Sequence, residues 1–248
     1  MKNLLPAEQV FERHYRDSSA DFWARFGGMP DVEGKRVLDF GCSTGGMVHR
    51  LMKAGASSAV GIDLSMRAIA YAKERMAEEW GDRVDIRCED VIEADIEPVD
   101  FIVSQNTMEH VMPLKETLTA VVNLCKPGGE MYFGFSPLWH SPYGHHNYPK
   151  TRVPWWHLLK GHDVVLDAFR DRVGKDYATV QDAGFNCATP ADFREAFHAQ
   201  DVEVLSLRYN VGRSPVRTAI SQAFRIPSVV PALEKYVTVG MYWHLRKK

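Results

Sequence analysis

Five short apolar runs alternate with stretches of helical periodicity across residues 35–135, and that alternation leaves few folds open. The first run, Lys35-Arg36-Val37-Leu38-Asp39-Phe40, enters the turn Gly41-Cys42-Ser43-Thr44-Gly45-Gly46, and a helix follows over 47–54. Residues 58–62, 84–88, 99–104 and 130–135 read as further strands. Residues 66–80, with Ser65 as N-cap, and 114–124 read as helices. Strands and helices at this spacing build βαβ units and a mainly parallel sheet.

The flanks extend that pattern. Residues 1–30 carry Val10, Phe11, Tyr15, Phe22, Trp23 and Phe26 at helical spacing until Gly27, Gly28 and Pro30 stop the helix. Regularity fails over 136–188, which is rich in His, Pro, Trp and Tyr and holds one clear helix, 164–173. It returns with Thr189 capping a helix that has Pro190 at its first position, a strand over 202–209 and a last strand over 237–245. The expected fold is therefore α/β: a doubly wound, Rossmann-like, seven-stranded sheet within one domain spanning 1–248. N-terminal helices precede it, and a lid (136–188) follows the fifth strand, where loops at the carboxyl edge build sites.

Composition narrows the function classes. A 45% hydrophobic chain of 248 residues fills a core without disulfides, and the four scattered cysteines suit a reduced, cytoplasmic protein. A net charge of -2 with no long basic run argues against a nucleic-acid partner. No run of 18 apolar residues exists, so no stable membrane insertion is expected, and the N-terminus shows no secretory signal. The apolar, aromatic C-terminal stretch reads as a core strand with a solvated basic tail. Residues 208–231, with Arg213, Arg217 and Arg225, serve the acceptor side, a homodimer contact or a solvated insertion; the sequence leaves these open.

Asp39, Asp63 and Asp90 end the first three strands. Asp63, 24 positions after Asp39, stands where an acid accepts hydrogen bonds from a ribose diol. Dinucleotide-binding turns want GxGxxG, but here Ser43 occupies the place of the second glycine. The Asp39 charge disfavours a pyrophosphate and suits a cationic amino group.

Val37 to Gly45 resembles motif I of the class I S-adenosylmethionine-dependent methyltransferases. Asp63 and Leu64 match the family's ribose and adenine contacts, Asp90-Val91 its adenine-edge position, and Gln105-Asn106 the segment near the methyl group. Residues 124–131 resemble its turn before the fifth strand. The resemblance implies S-adenosylmethionine as cofactor, held by Asp39, Gly41, Ser43, Gly45, Asp63, Leu64, Asp90, Val91 and Gln105. Met108-Glu109-His110-Val111 is similar to the small-molecule branch that includes ubiquinone-pathway O-methyltransferases.

Methyl transfer to a small-molecule hydroxyl needs in-line alignment and a base near neutrality. Candidates are His110 at the sheet edge and His145 and His146 in the lid, which is expected to fold over the methyl group as an aromatic wall. N- or C-methylation, or cofactor binding without turnover, are the alternatives. His140, His145, His146 and His157 with Glu109 form a conceivable cation set, but their spacing matches no dedicated metal motif, and no metal is assigned.

Overall fold

The computed structural model describes residues 5–148, 150–212 and 214–248, so Arg213 lies outside the described residues. Strands β1 (Arg36–Phe40), β2 (Ser58–Ile62), β3 (Val84–Arg87), β4 (Val99–Gln105), β5 (Cys125–Phe135), β6 (Val202–Tyr209) and β7 (Met241–Lys247) form one sheet. Its order is β3-β2-β1-β4-β5-β7-β6. The first five strands are parallel, and β7 runs antiparallel between β5 and β6. This is the expected doubly wound α/β sheet. In β1, Val37, Leu38, Asp39 and Phe40 are all buried because helices cover both faces, which explains a continuous apolar run in place of alternation.

On one face lie α1 (Ala7–Arg13), α2 (Ser19–Phe26), α3 (Gly46–Lys53) and α4 (Met66–Trp80). They bury Phe11, Trp23, Leu51 and Met76 with Val37 and Phe101. Against the other face pack α5 (Leu114–Asn123) and, further along the chain, α8 (Pro190–His198), where Phe197 stacks on Trp243 at 4.5 Å. Each large apolar side chain taken from water contributes about 1.5–3 kcal/mol, so these two layers dominate stability. The expected caps hold. Ser65 Oγ accepts from the Ala68 amide, and Thr189 forms a capping box with Asp192 ahead of α8.

The N-terminal helical region is interrupted: a π-helical turn over His14–Ser18 joins α1 to α2. The chain then stops at Gly27, whose φ of 97° is left-handed. Among the described residues, 136–188 contain two helices, α6 (Trp156–Leu159) and α7 (Asp163–Val173), with turns around them. This segment has its own small core of Trp139, Val165, Val180 and Phe185.

Two expectations near the C-terminus are corrected. The last strand begins at Met241, not at residue 237, because α10 (Pro231–Val237) occupies the preceding segment. The β-branched Val237-Thr238-Val239 reads as strand, yet the Thr238 amide donates to the Glu234 carbonyl and closes a helix. The stretch left open at 208–231 holds α9 (Pro215–Phe224), capped by Ser214. Among the described residues, no helix is long and apolar enough to cross a membrane.

Candidate active site

The strand order reverses between β1 and β4, and at such a switch point the loops leaving the carboxyl ends diverge and open a crevice. A cavity of about 560 Å³ lies there. Its wall takes Asp39 to Ser43 from β1 and the glycine turn, Ile62 to Leu64 from β2, Glu89 to Val91 from the β3 loop, and Gln105 to Thr107 from β4. The size suits a nucleoside-sized ligand.

Backbone geometry builds the floor. Gly41 sits at φ 82°, and a β-carbon there would fall 2.0 Å from Thr107 Oγ1. A side chain at Gly41 is thus excluded by Thr107 and by the left-handed φ, not by direct intrusion on a ligand. Gly45, at φ 83°, does not line the cavity; its β-carbon would make ordinary contact with Ala72 and Met76 on α4. Ser43 takes the left-handed φ of 49° that glycine adopts more easily. Its amide donates to Asp63 Oδ2 at 2.9 Å, and the Ser65 amide donates to Asp63 Oδ1 at 2.8 Å. Asp63 therefore fastens the glycine turn as well as facing the cavity.

Asp39 is buried, and its Oδ2 has no hydrogen-bond partner. Burial, and next the negative charge of Asp63, push its pKa up to about 8. A buried carboxylate with an orphaned oxygen in a cavity wall fits a cationic group brought by a ligand. Leu64, 71% exposed, and the buried Val91 offer apolar edges for a flat ring. Asp90 Oδ1 accepts from the Ile92 amide, which shapes its loop. Gln105 lines the cavity while its side-chain amide donates to the Ser18 carbonyl at 2.8 Å.

The three candidate histidines separate. His110 lines the cavity, and its Nδ1 lies 2.7 Å from the Gly184 carbonyl. A carbonyl only accepts, so Nδ1 carries the proton and Nε2 keeps its lone pair. Desolvation against the lid lowers the His110 pKa, although the residue as a whole keeps an exposed surface. His146 stands behind it, ring centroids 5.0 Å apart, with Nε2 donating to the Pro137 carbonyl at 2.9 Å. Burial and then the neighbouring His110 hold His146 down to about 3. His145 does not reach the cavity. It is fully buried, neither ring nitrogen has a partner, and its ring faces His157 at 5.3 Å.

The wider lid expectation is corrected with it. Among the described residues, none from 136–188 lines the cavity. Its aromatics are spent on their own core, and the lid meets the site through Gly184 and His146, which back His110. Sequence reasoning places Glu109 only in a conceivable cation set, and the structure shows how unusual its environment is. Its carboxyl is buried, both oxygens lack hydrogen-bond partners, and burial raises its pKa to about 8. Glu109, His110 and His146 present ligand atoms within 4.8 Å of one another, a set that could hold a cation; it adds His110 to the set weighed from sequence and leaves out His140, His145 and His157. His14 and Ser18 of the π turn, and Thr107, also line the cavity. For His14 and Ser18 no local sequence signal existed, since only the packing of the N-terminal helices brings them there.

Comparison with known proteins bears on the family and the fold. Residues 37–129 match a family described as "Methyltransferase domain". A ubiquinone biosynthesis O-methyltransferase of Neisseria meningitidis serogroup C is 32% identical over 109 residues, 43% of this chain and 46% of that protein. The matched region thus spans about half the length of that curated relative. Among solved structures, an S-adenosylmethionine-dependent methyltransferase from Mesorhizobium loti superposes with a TM-score of 0.58 at 16% identity, covering 93% of this chain and 99% of that one. A geranyl diphosphate C-methyltransferase from Streptomyces coelicolor gives a TM-score of 0.61 at 13% identity, with coverages of 100% and 85%. These likenesses are to the fold.

Proposed function

We propose, on the premise that the chain carries a methyltransferase domain of the class I S-adenosylmethionine-dependent kind over residues 37–129, that it methylates a hydroxyl oxygen of a small molecule. The observation that carries the reading is His110. A neutral imidazole with its proton fixed on Nδ1 leaves a basic Nε2 at the wall of the cofactor-sized cavity.

S-adenosylmethionine, when bound, supplies an electrophilic methyl group on a sulfonium. Asp39, whose Oδ2 lacks a partner, would hold the amino group of its methionine part. Asp63 accepts from the ribose diol with lone pairs its two amide donors leave free. Leu64 and Val91 flank the adenine, and Asp90 accepts at its edge. His110 Nε2 would accept the hydroxyl proton of an acceptor placed against the methyl group that the cofactor supplies. The Gly184 carbonyl then stabilises the imidazolium.

Transfer of an isotope-labelled methyl group to a panel of phenols, alcohols, amines and carbon acids, with the product bond assigned by NMR, tests the reading. A labelled ether supports it, whereas a labelled amine or carbon centre as the sole product refutes oxygen transfer. A second reading rests on the grouping of Glu109, His110 and His146: a divalent cation held there would lower the hydroxyl's pKa directly. Activity that survives exhaustive chelation, with no rise on adding divalent ions, removes that reading.

A further inference from the structure

Helices at the surface of a folded chain ordinarily turn their apolar side inward, and the segment that joins β6 to β7 does the reverse. It leaves and re-enters the sheet at the carboxyl edge, since β6 runs parallel to β5 and Tyr209 pairs with Met241. Its inward contacts are polar. Asn210 is buried; its Nδ2 donates to the Val237 carbonyl at 2.7 Å, and its Oδ1 accepts from the Val239 amide at 2.6 Å. Thr218 Oγ1 accepts from the Gly212 amide, and Glu234 accepts from Arg194 and Arg225 at 2.7 and 2.9 Å. The outward side is aliphatic. Val216 and Ile220 on α9, and Ile226 and Val229 in the 3₁₀ turn that follows it, are each between 65% and 82% exposed. No residue of α9 is buried, so these side chains serve no core. Large aliphatic groups left together in water mark a surface that something else covers.

The charge of this segment has one sign. Residues 204–233 include four arginines, Arg208, Arg213, Arg217 and Arg225, and no Asp or Glu. The lid adds a second stretch of the same kind, for residues 131–162 also lack Asp and Glu and carry Lys150, Arg152 and Lys160. The two stretches meet at Trp155. Its Nε1 donates to the Tyr236 carbonyl at 3.2 Å, and its ring lies 6.1 Å from that of Phe224. On the lid side of this contact Val153 and Leu159 are exposed, as are Arg152 and Lys160.

An aliphatic and uniformly basic surface is complementary to anionic headgroups over an acyl layer. A second copy of the chain fits it less well. A two-fold contact would set the basic patch against itself with no acid to meet it, and like charges so placed oppose association. Protein interfaces also draw most of their energy from Trp, Tyr and Arg, whereas Leu and Val are under-represented among the residues that matter most there.

We propose that the α9–α10 segment, with the adjoining lid turn at residues 152–160, is a peripheral docking surface for an anionic lipid bilayer. The aliphatic side chains enter the boundary between headgroups and acyl chains, and Arg217, Arg152 and Lys160 stay at headgroup level. Lying on a bilayer in this way needs no spanning helix. Docking turns the carboxyl edge of the sheet, where the cavity also lies, toward the bilayer, and it holds whichever atom receives the methyl group.

Co-sedimentation of the full chain with unilamellar vesicles tests it, with phosphatidylcholine alone and with about one third phosphatidylglycerol, at low salt. Partitioning should be at least about 10-fold stronger onto the anionic vesicles and should fall as salt is added. Arg217→Glu should weaken it about 5- to 30-fold, the effect of one to two charges near a charged surface. Ile220→Ser combined with Val229→Ser should weaken it about 10-fold or more with an unchanged thermal melt, because both side chains are exposed in the fold. Absence of binding to the anionic vesicles, equal binding to both kinds, or unchanged binding by both variants would overturn the proposal. Sedimentation velocity without vesicles supplies the other arm. A dimer that the Ile220→Ser, Val229→Ser variant dissociates would show that a second copy covers the patch, and would overturn it as well.

Discussion

The Asp63 corner of the cavity wall and the His145 core of the lid solve the burial of polar groups in opposite ways. In the wall, Asp63 spends both carboxylate oxygens on the backbone amides of Ser43 and Ser65, and the turn holds its shape without any ligand. In the lid, His145 is buried with both ring nitrogens unpartnered, and Ser141 Oγ, Trp139 Nε1 and His157 Nδ1 are unpartnered as well. Glu109 lies at the boundary, buried and unpaired beside His110. A site whose polar atoms are tied to backbone is fixed by local chain geometry. One whose polar atoms are orphaned in an aromatic core keeps its histidines neutral and leaves them a supporting role.

The sharpest way to break this contrast is to exchange the histidines' roles. His110→Gln should lower turnover about 10²–10⁴-fold at saturating cofactor, with cofactor affinity intact, because it removes a positioned base. His145→Gln should leave turnover within about threefold, since that ring never meets the cavity. Equal losses in steady-state kinetics for the two variants would mean that the lid contributes chemistry after all.

Glu109 probes the boundary. Its folded pKa of about 8 lies above the ordinary 4.5, so the folded state holds a proton there that the unfolded chain has released. Stability from this group is therefore complete below pH 4.5 and declines as pH rises toward 8. Glu109→Gln removes that decline. Its stability relative to the parent should climb by on the order of 3–5 kcal/mol between these limits, read by urea denaturation across pH. A flat difference would show that Glu109 is ionised in the fold, as a cation bound beside it would cause. Burial drives the neighbouring imidazoles the other way, which is why the difference between variant and parent is the quantity to follow.

Asp63→Ala tests the wall at its fastening point. Cofactor binding should weaken by about 1.5–3 kcal/mol, the value of hydrogen bonds to a charged acceptor, and the freed Ser43 and Ser65 amides should loosen the turn. Unchanged affinity by calorimetry would remove Asp63 from the ribose. The smallest effect separates the two glycines. Gly41→Ala meets both a left-handed φ and the Thr107 side chain, whereas Gly45→Ala meets only the φ. Gly45→Ala should cost about 1–2 kcal/mol and Gly41→Ala more, with Thr107→Ser in the Gly41→Ala background recovering part of the excess. Equal costs would mean that Thr107 yields freely.

Sequence by itself determined the sheet and most of the cavity wall, because both are written locally. The run from Val37 to Phe40 is buried throughout since helices cover β1 on both faces, and Asp39 lies just inside the end of β1, Asp63 directly after β2 and Asp90 in the loop after β3. Ser65 and Thr189 cap their helices through contacts three residues away. Tertiary structure decided everything that depends on distant segments meeting. His14 reaches the cavity only because Gly46 lets the N-terminal π turn lie on α3. The His110 ring is fixed with Nε2 unprotonated only because the Gly184 carbonyl, 74 residues later, accepts a hydrogen bond from its Nδ1. His145 and His146 are adjacent in sequence, yet one is sealed in the lid and the other backs the site. Chain neighbours share a local conformation, but burial is set by what packs against them, and no local pattern encodes that.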